Sequence, residues 1–223
     1  LLICDQVMMF KRLVKEAAMK HDMYATFLAK PLQLEPGSAM HWHISIIDAD
    51  SKKNIFSDQE DRETSKFRNF IAGLQKYTTE SILFNAPYVN SYRRFTRWQN
   101  APINLYWGYD NRTTGLRVPS SSADNRRVEF RIGGADVNPY LSIASSIACG
   151  LLGMQEVLEP SAPEDGNAYN LPFKLPRNLS SAMELLEQSE VMPILMGNRF
   201  LQVYIAIKAH EYNRYFRSEE RRV

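Results

Sequence analysis

Between Asn111 and Arg131 the chain sets Arg112, Arg117, Arg126, Arg127, Glu129 and Arg131 within twenty-one residues. Arg127, Glu129 and Arg131 alternate with Val128 and Phe130. On a strand, residues two apart share a face, so a guanidinium, a carboxylate and a second guanidinium would point one way and the apolar pair the other. Guanidinium forks match the oxygens of phosphates and carboxylates, and a carboxylate among them can hold a hard cation that bridges phosphates. An ion-pair ladder on a solvated edge strand uses the same residues without a ligand, and this pattern alone admits both readings.

A second alternating run narrows the choice. In Met40–Ile46, His41, His43 and Ser45 share one face while Met40, Trp42, Ile44 and Ile46 share the other. Neutral imidazole ligates metals and hydrogen-bonds phosphate. Two imidazoles on one polar face, directly after the turn at Glu35-Pro36-Gly37-Ser38, mark a site. His21 and His210 stand alone near helix ends or on polar helix faces and are given no role.

The elements that must position these groups can be read from periodicity. Asp5–Lys20 carries Val7, Met8, Phe10, Leu13, Val14, Ala17 and Ala18 at helical spacing, which predicts a helix with one buried face. Tyr24–Ala29 reads as a buried strand ended by Lys30-Pro31. Ile47–Asp61 is a polar hairpin or loop. Glu63–Phe84 reads as one long helix bearing Phe67, Phe70, Ile71, Leu74 and Tyr77. Phe95–Pro102 is an irregular loop ahead of a strand at Ile103–Gly108. Asn138-Pro139 supplies an N-cap and a first-turn proline. The helix it opens runs to about Glu156, with Ile143, Ala144, Ile147, Ala148, Leu151 and Leu152 predicted to make it a core helix. Glu159–Pro176 reads as a surface connection. Helices follow at Ser180–Gln188 and Asn198–Tyr215, the second packing through Phe200, Val203, Tyr204 and Ile207, and the stretch from Arg217 to Arg222 is a solvated end.

Composition adds limits. The 223 residues are 44% hydrophobic and 23% charged with a net charge of +2, ordinary for a globular protein and without the basic excess that nucleic acid or a membrane surface would ask for. No run of 18 apolar residues appears, so no membrane span is predicted. Cys4 and Cys149 lack metal-ligand spacing and read as buried thiols of a reducing compartment, consistent with the cytoplasm. The chain opens on Leu1-Leu2-Ile3-Cys4-Asp5 with no Met, and it reads as the interior of a longer protein.

Taken together, six motifs resemble the catalytic domain of the glutamine synthetase family, over roughly its C-terminal two-thirds. They are Phe27–Pro31, Pro36–Ser45, Asn90–Arg94, Asn111–Pro119, Arg127–Arg131 and Asn138–Leu141, in the family's order and spacing. The resemblance implies an α+β fold of the glutamine synthetase and guanido kinase type, with a curved, mainly antiparallel sheet flanked by helices. Residues 1–223 would then be the C-terminal part of that domain, without the N-terminal β-grasp domain and the first catalytic strands. It also implies roles. His41 and Glu129 match the ligands of a metal, Mg or Mn, among the ATP phosphates; His43, Ser45 and Arg127 match nucleotide-side positions. Gly37 matches a glycine whose backbone approaches glutamate. Arg94 and Arg131 match arginines for the substrate carboxylate and the transferred phosphoryl group, and Arg112 and Arg117 match those facing the phosphates. The implied assembly is a large, dodecamer-like homo-oligomeric ring.

Three departures bear on the substrate. The family's other metal carboxylates come from strands that would precede Leu1. Pro36 stands where the family usually has Asn. In the loop Arg97-Trp98-Gln99-Asn100-Ala101-Pro102, Asn100 replaces a glutamate that ammonia-using members carry. With Trp98, this resembles the γ-glutamylamine branch, including γ-glutamylpolyamine synthetases, which joins glutamate to a bulkier primary amine. Glutamine synthetase proper and a catalytically silent member with a structural role remain the alternatives.

Overall fold

The computed structural model describes residues 1–220. Among them, four strands of three residues each form one sheet: β1 (Trp42–Ile44), β2 (Trp107–Tyr109), β3 (Leu116–Val118) and β4 (Val128–Phe130), in the order β1-β4-β3-β2. β4 is antiparallel to β1 and β3, whereas β2 and β3 are parallel, so the sheet is mixed. Residues 110–115 alone connect the parallel pair, fewer than the dozen or so a parallel crossover ordinarily needs. Strands this short let the loop turn back past their ends.

Register sorts the side chains into rows. Trp42, Phe130, Leu116 and Trp107 are successive cross-strand partners and all are buried. The next row is His43, Glu129, Arg117 and Gly108. Because the side-chain period is two, these rows lie on opposite faces, and a slip of one residue would exchange them. The alternation predicted for Met40–Ile46 and Arg127–Arg131 holds, although each strand is shorter than its motif. Its pattern outlasts the strand, since the Arg131 N–H donates to the Gly115 carbonyl at 3.0 Å.

Helices α1 (Leu2–Met19), α2 (Ser65–Tyr77), α3 (Ile82–Asn85), α4 (Val89–Tyr92), α5 (Pro139–Gln155), α6 (Leu179–Glu187) and α7 (Asn198–Glu220) surround the apolar row. α5 starts as the sequence predicts: the Asn138 side chain accepts from the N–H groups of Tyr140 and Leu141, with Pro139 in the first turn. Trp42 on β1 donates its indole N–H to Ser142 of α5 at 2.8 Å, which joins sheet to helix. α2 begins at an N-cap, Thr64, whose hydroxyl accepts from Phe67.

Several expectations are corrected. α5 is a core helix, but its buried face is Ser142, Ser145, Ser146, Cys149, Gly150 and Gly153, while Ile147 and Leu151 are exposed. The cause is the closeness of α2. A Cβ on Gly73 would lie 2.2 Å from the Cys149 carbonyl oxygen and 2.7 Å from Gly153 Cα, so only small residues fit between the two helices. The predicted helix Glu63–Phe84 stops at Tyr77, because the Thr78–Ser81 stretch bonds to itself, with Ser81 Oγ donating to the Thr78 carbonyl at 3.2 Å. Tyr24–Ala29 is not a strand: Tyr24 is exposed, and the Ala29 carbonyl is taken by the Ser38 N–H at 2.8 Å rather than by a ladder. β2 starts only at Trp107, since the Ile103 carbonyl accepts from Lys174 and Leu175. For the same reason Glu159–Pro176 is no mere surface connection; Ala168, Tyr169 and Leu175 are buried, and the Glu164 N–H donates to the Trp107 carbonyl at 2.7 Å.

The outer helices differ from their predicted stripes too. α1 buries Cys4, whereas Met8, Phe10 and Leu13 of the predicted stripe remain exposed. α7 packs through Leu201, Tyr204 and the stem of Lys208, with Tyr204 5.0 Å from the Phe84 ring, while Val203 and Ile207 face outward. Arg217 is exposed, and Arg221 and Arg222 of the predicted solvated end lie outside the described residues. No helix among the described residues is long and apolar enough to cross a membrane.

Candidate active site

Pairing of β4 between β1 and β3 brings Glu129 against His43 on one side and Arg117 on the other. Glu129 is 4% exposed. Its Oε1 accepts from His41 Nδ1 at 3.0 Å and from Arg131 Nη1 at 3.0 Å, and its Oε2 accepts from Arg117 Nη1 at 2.8 Å. Burial alone would raise this carboxyl's pKa. The hydrogen bonds from His41 and Arg117 and the charge of Arg131 outweigh burial and hold it far below the usual carboxylate range.

The cations are themselves fixed. Arg117 also donates through Nη2 to Asp110 Oδ1 at 2.7 Å, and Arg131 through Nη2 to the Arg112 carbonyl at 2.9 Å. Arg127 donates through Nε to His43 Nδ1 at 3.1 Å and through Nη1 to the Asn125 carbonyl at 2.9 Å. Burial lowers the His43 pKa; Glu129 opposes that shift and Arg127 adds to it.

The remaining positions divide. Arg94 is 2% exposed, donates to the Ile132 carbonyl, and has its pKa lowered by burial to about 10. Gly37 lies directly on it: a Cβ there would be 2.6 Å from the Ala29 carbonyl oxygen and 2.7 Å from Arg94 Cγ, so the position admits no side chain. Arg112 is exposed and joins the cluster through its carbonyl. Ser45 is exposed just past the end of β1. Trp98 and Asn100 are exposed on their loop at φ 64° and φ 59°, with the Trp98 ring 5.3 Å from that of Tyr169.

Two residues given no role by the sequence reasoning enter the site. Asp110 grips Arg117 and also accepts from the Ser120 N–H at 3.2 Å. Its only sequence signal is its place at the end of an apolar run, beside Asn111. Lys30, quoted above only as part of a motif, is buried and donates through Nζ to the Glu35 carbonyl and to Gln99 Oε1.

Chemically, the face carries more guanidinium than carboxylate. Arg117 Nε and Arg131 Nε are buried N–H donors without a partner. Buried polar atoms are ordinarily paired, so such a cluster suits an incoming group rich in acceptor oxygens. As a metal centre the donor set is partial. Among the described residues no group of three or more His, Cys, Asp and Glu is placed to hold an ion. His41 Nε2 keeps a free lone pair, and Glu129 has used three of roughly four acceptor directions, so the two fit as part of a hard-cation site.

Comparison with known proteins agrees with the motifs. Residues 1–222 match the glutamine synthetase catalytic-domain family. The chain is 39% identical over 211 residues to γ-glutamylputrescine synthetase of Escherichia coli (strain K12), covering 93% of this chain and 44% of that protein. It is 36% identical over 212 residues to glutamate–isopropylamine ligase of a Pseudomonas species, covering 93% and 46%. It is 34% identical over 221 residues to the glutamine synthetase of Pyrococcus horikoshii, covering 95% and 49%. The chain thus spans less than half the length of these curated relatives. With a match along nearly its whole length, the chain belongs to the glutamine synthetase catalytic-domain family.

Proposed function

We propose that the full-length protein is an ATP-dependent ligase that joins the γ-carboxylate of glutamate to an organic primary amine through γ-glutamyl phosphate. The observation that carries this reading is the row His43–Glu129–Arg117, flanked by Arg127 and Arg131, with its surplus of guanidinium over carboxylate. Phosphoryl transfer needs positioning and charge neutralisation more than covalent help from the protein.

In the first half-reaction a γ-carboxylate oxygen of glutamate bonds to the γ-phosphorus of ATP, the bond to the β–γ bridging oxygen breaks, and ADP leaves. Arg117 and Arg112 face the phosphate oxygens; Arg94 and Arg131 hold the substrate carboxylate and then the phosphoryl group. Arg127, His43 and Ser45 lie on the nucleotide side, and the backbone at Gly37 approaches glutamate. His41 and Glu129 would hold Mg or Mn, completed by ligands from outside this chain; when bound, such an ion neutralises phosphate charge. In the second half-reaction the amine nitrogen bonds to the acyl carbon, the carbon–oxygen bond to phosphate breaks, and phosphate and one proton leave.

The amine assignment rests on Asn100. A carboxylate there would attract ammonium and take its proton, whereas an amide does not ionise. Trp98 offers an exposed indole to the carbon chain of an alkylammonium. Relatives named for putrescine, isopropylamine and ethanolamine are consistent with this choice. Glutamine synthesis from ammonia is the second reading, favoured by the 34% identity to an archaeal glutamine synthetase. A silent member would have little physical reason to keep buried guanidinium N–H groups without acceptors.

On this reading residues 1–223 are the C-terminal part of a catalytic domain whose β-grasp domain and first strands lie elsewhere in the full-length protein. That protein would work in the cytoplasm as a large homo-oligomeric ring, without nucleic-acid or membrane partners. The deciding experiment measures ATP- and glutamate-dependent phosphate release by the full-length enzyme with ammonium, putrescine, spermidine, ethanolamine and simple alkylamines. A preference of about tenfold or more in kcat/KM for one organic amine is expected. Preference for ammonium over every amine assigns the protein to glutamine synthesis instead.

A further inference from the structure

Lys30 stands where three segments of the site meet, and no step above uses it. It is 6% exposed. Its backbone is clasped by one side chain: the Lys30 N–H donates to Asn90 Oδ1 at 2.8 Å, and Asn90 Nδ2 donates to the Lys30 carbonyl at 2.9 Å. From this fixed base the ammonium donates in two directions, to the Glu35 carbonyl and to Gln99 Oε1. Both acceptors are neutral oxygens.

The two acceptors stand next to the two halves of the chemistry. Glu35 is two residues before Gly37, which packs on Arg94. Gln99 lies between Trp98 and Asn100, and both of those hold left-handed backbone, at φ 64° and φ 59°. Asparagine tolerates that conformation, while a tryptophan there is strained. Between these two left-handed residues, the Gln99 side chain is tied to Lys30.

We propose that Lys30 is a positioning residue that ties the Trp98–Asn100 loop to the Glu35–Gly37 segment and thereby sets selectivity for the amine. With its ammonium held by those two oxygens, Lys30 acts through the register between the acid side and the amine side. The idea rests on the proposal that the Asn100 loop receives the amine.

The test uses the full-length enzyme with Lys30→Met, Lys30→Arg and Gln99→Met. Methionine keeps most of the length and removes the donors; arginine keeps the charge and can reach two oxygens. For Lys30→Met we expect kcat/KM for the preferred amine to fall about tenfold or more, because small misplacements of a reacting group are costly. The KM for ATP should stay within about twofold, and the amine-to-ammonium ratio should move toward ammonium. Gln99→Met should reproduce the shift, and Lys30→Arg should recover most of it. An unchanged amine-to-ammonium ratio, or an equal fall in every parameter together with a lowered Tm, overturns the proposal. If Lys30→Met does not fold, Gln99→Met decides alone, since that side chain is only partly buried. A wild type that uses ammonium only refutes the amine reading but not the tether. The same variants are then read on the KM for ammonium, which should rise about tenfold with the KM for ATP unmoved.

Discussion

Trp42, Phe130, Leu116 and Trp107 cross one face of the sheet, and His43, Glu129 and Arg117 cross the other, one residue out of step. On the apolar side the limit is volume. That side leads through Trp42 and Ser142 to α5, where Gly73 and Gly153 meet without room for a methyl group. On the polar side the limit is charge. One carboxylate is shared by three N–H donors, and the buried Nε–H groups of Arg117 and Arg131 have no partner. The packed face is filled as it stands, while the charged face keeps guanidinium N–H groups that a ligand's oxygens could satisfy. Substitutions on the first should therefore change stability and leave substrate choice alone. Those on the second should change rate.

The sharpest way to break this contrast is Glu129→Gln in the full-length enzyme. Loss of turnover on the order of a thousandfold is expected, together with a stability cost of about 3 kcal/mol, because Arg131 is left buried without its counter-charge. Steady-state assays and thermal melts check both; a variant with more than a tenth of wild-type turnover at saturating magnesium removes Glu129 from the metal and phosphate chemistry. Next is Arg117→Lys, which keeps the charge but loses the fork that spans Glu129 and Asp110. A fall of roughly a hundredfold in kcat with little change in the KM for glutamate is expected. A change confined to that KM would move Arg117 to the substrate carboxylate.

On the other face, Gly73→Ala should lower stability by about 2 kcal/mol through overpacking and leave the amine preference unchanged. A shift in that preference at unchanged Tm would merge the two regions. Asn100→Glu sharpens the contrast within the site: relative use of ammonium should rise about tenfold, measured as a ratio of kcat/KM values. The smallest effect belongs to the packed side. Burial pushes the Cys149 thiol up to about 12, so it stays protonated and should resist alkylation at pH 8 until the protein unfolds. Rapid labelling of the native protein at that residue would show that the α2–α5 contact opens.

Most of the candidate site was legible because alternation is a local rule. Two neighbours in sequence decide which way His41, His43, Arg127, Glu129 and Arg131 point, and the structure keeps those directions. What escaped notice depends on distant chain. Lys30 sits in a quoted motif, yet its partners Glu35 and Gln99 are known only once the loops meet. The fold shows the same limit. The Asn138 cap predicts α5 because capping is local, but which face of α5 is buried depends on α2, where the approach of Gly73 selects small residues over Ile147 and Leu151. Ile103–Gly108 reads as a strand, yet the Ile103 carbonyl is claimed by the N–H groups of Lys174 and Leu175.

The order of the strands carries a consequence for how the site comes into being. Arg117 and Glu129 are 12 residues apart, so their half of the cluster requires only a short loop to close. His43 meets Arg127 across 84 residues, a much longer closure with a larger entropic barrier. The guanidinium half of the cluster is therefore expected to assemble early during folding, and the imidazole half to arrive late. The Arg117–Glu129 ion pair would then stand formed before either histidine packs beside it.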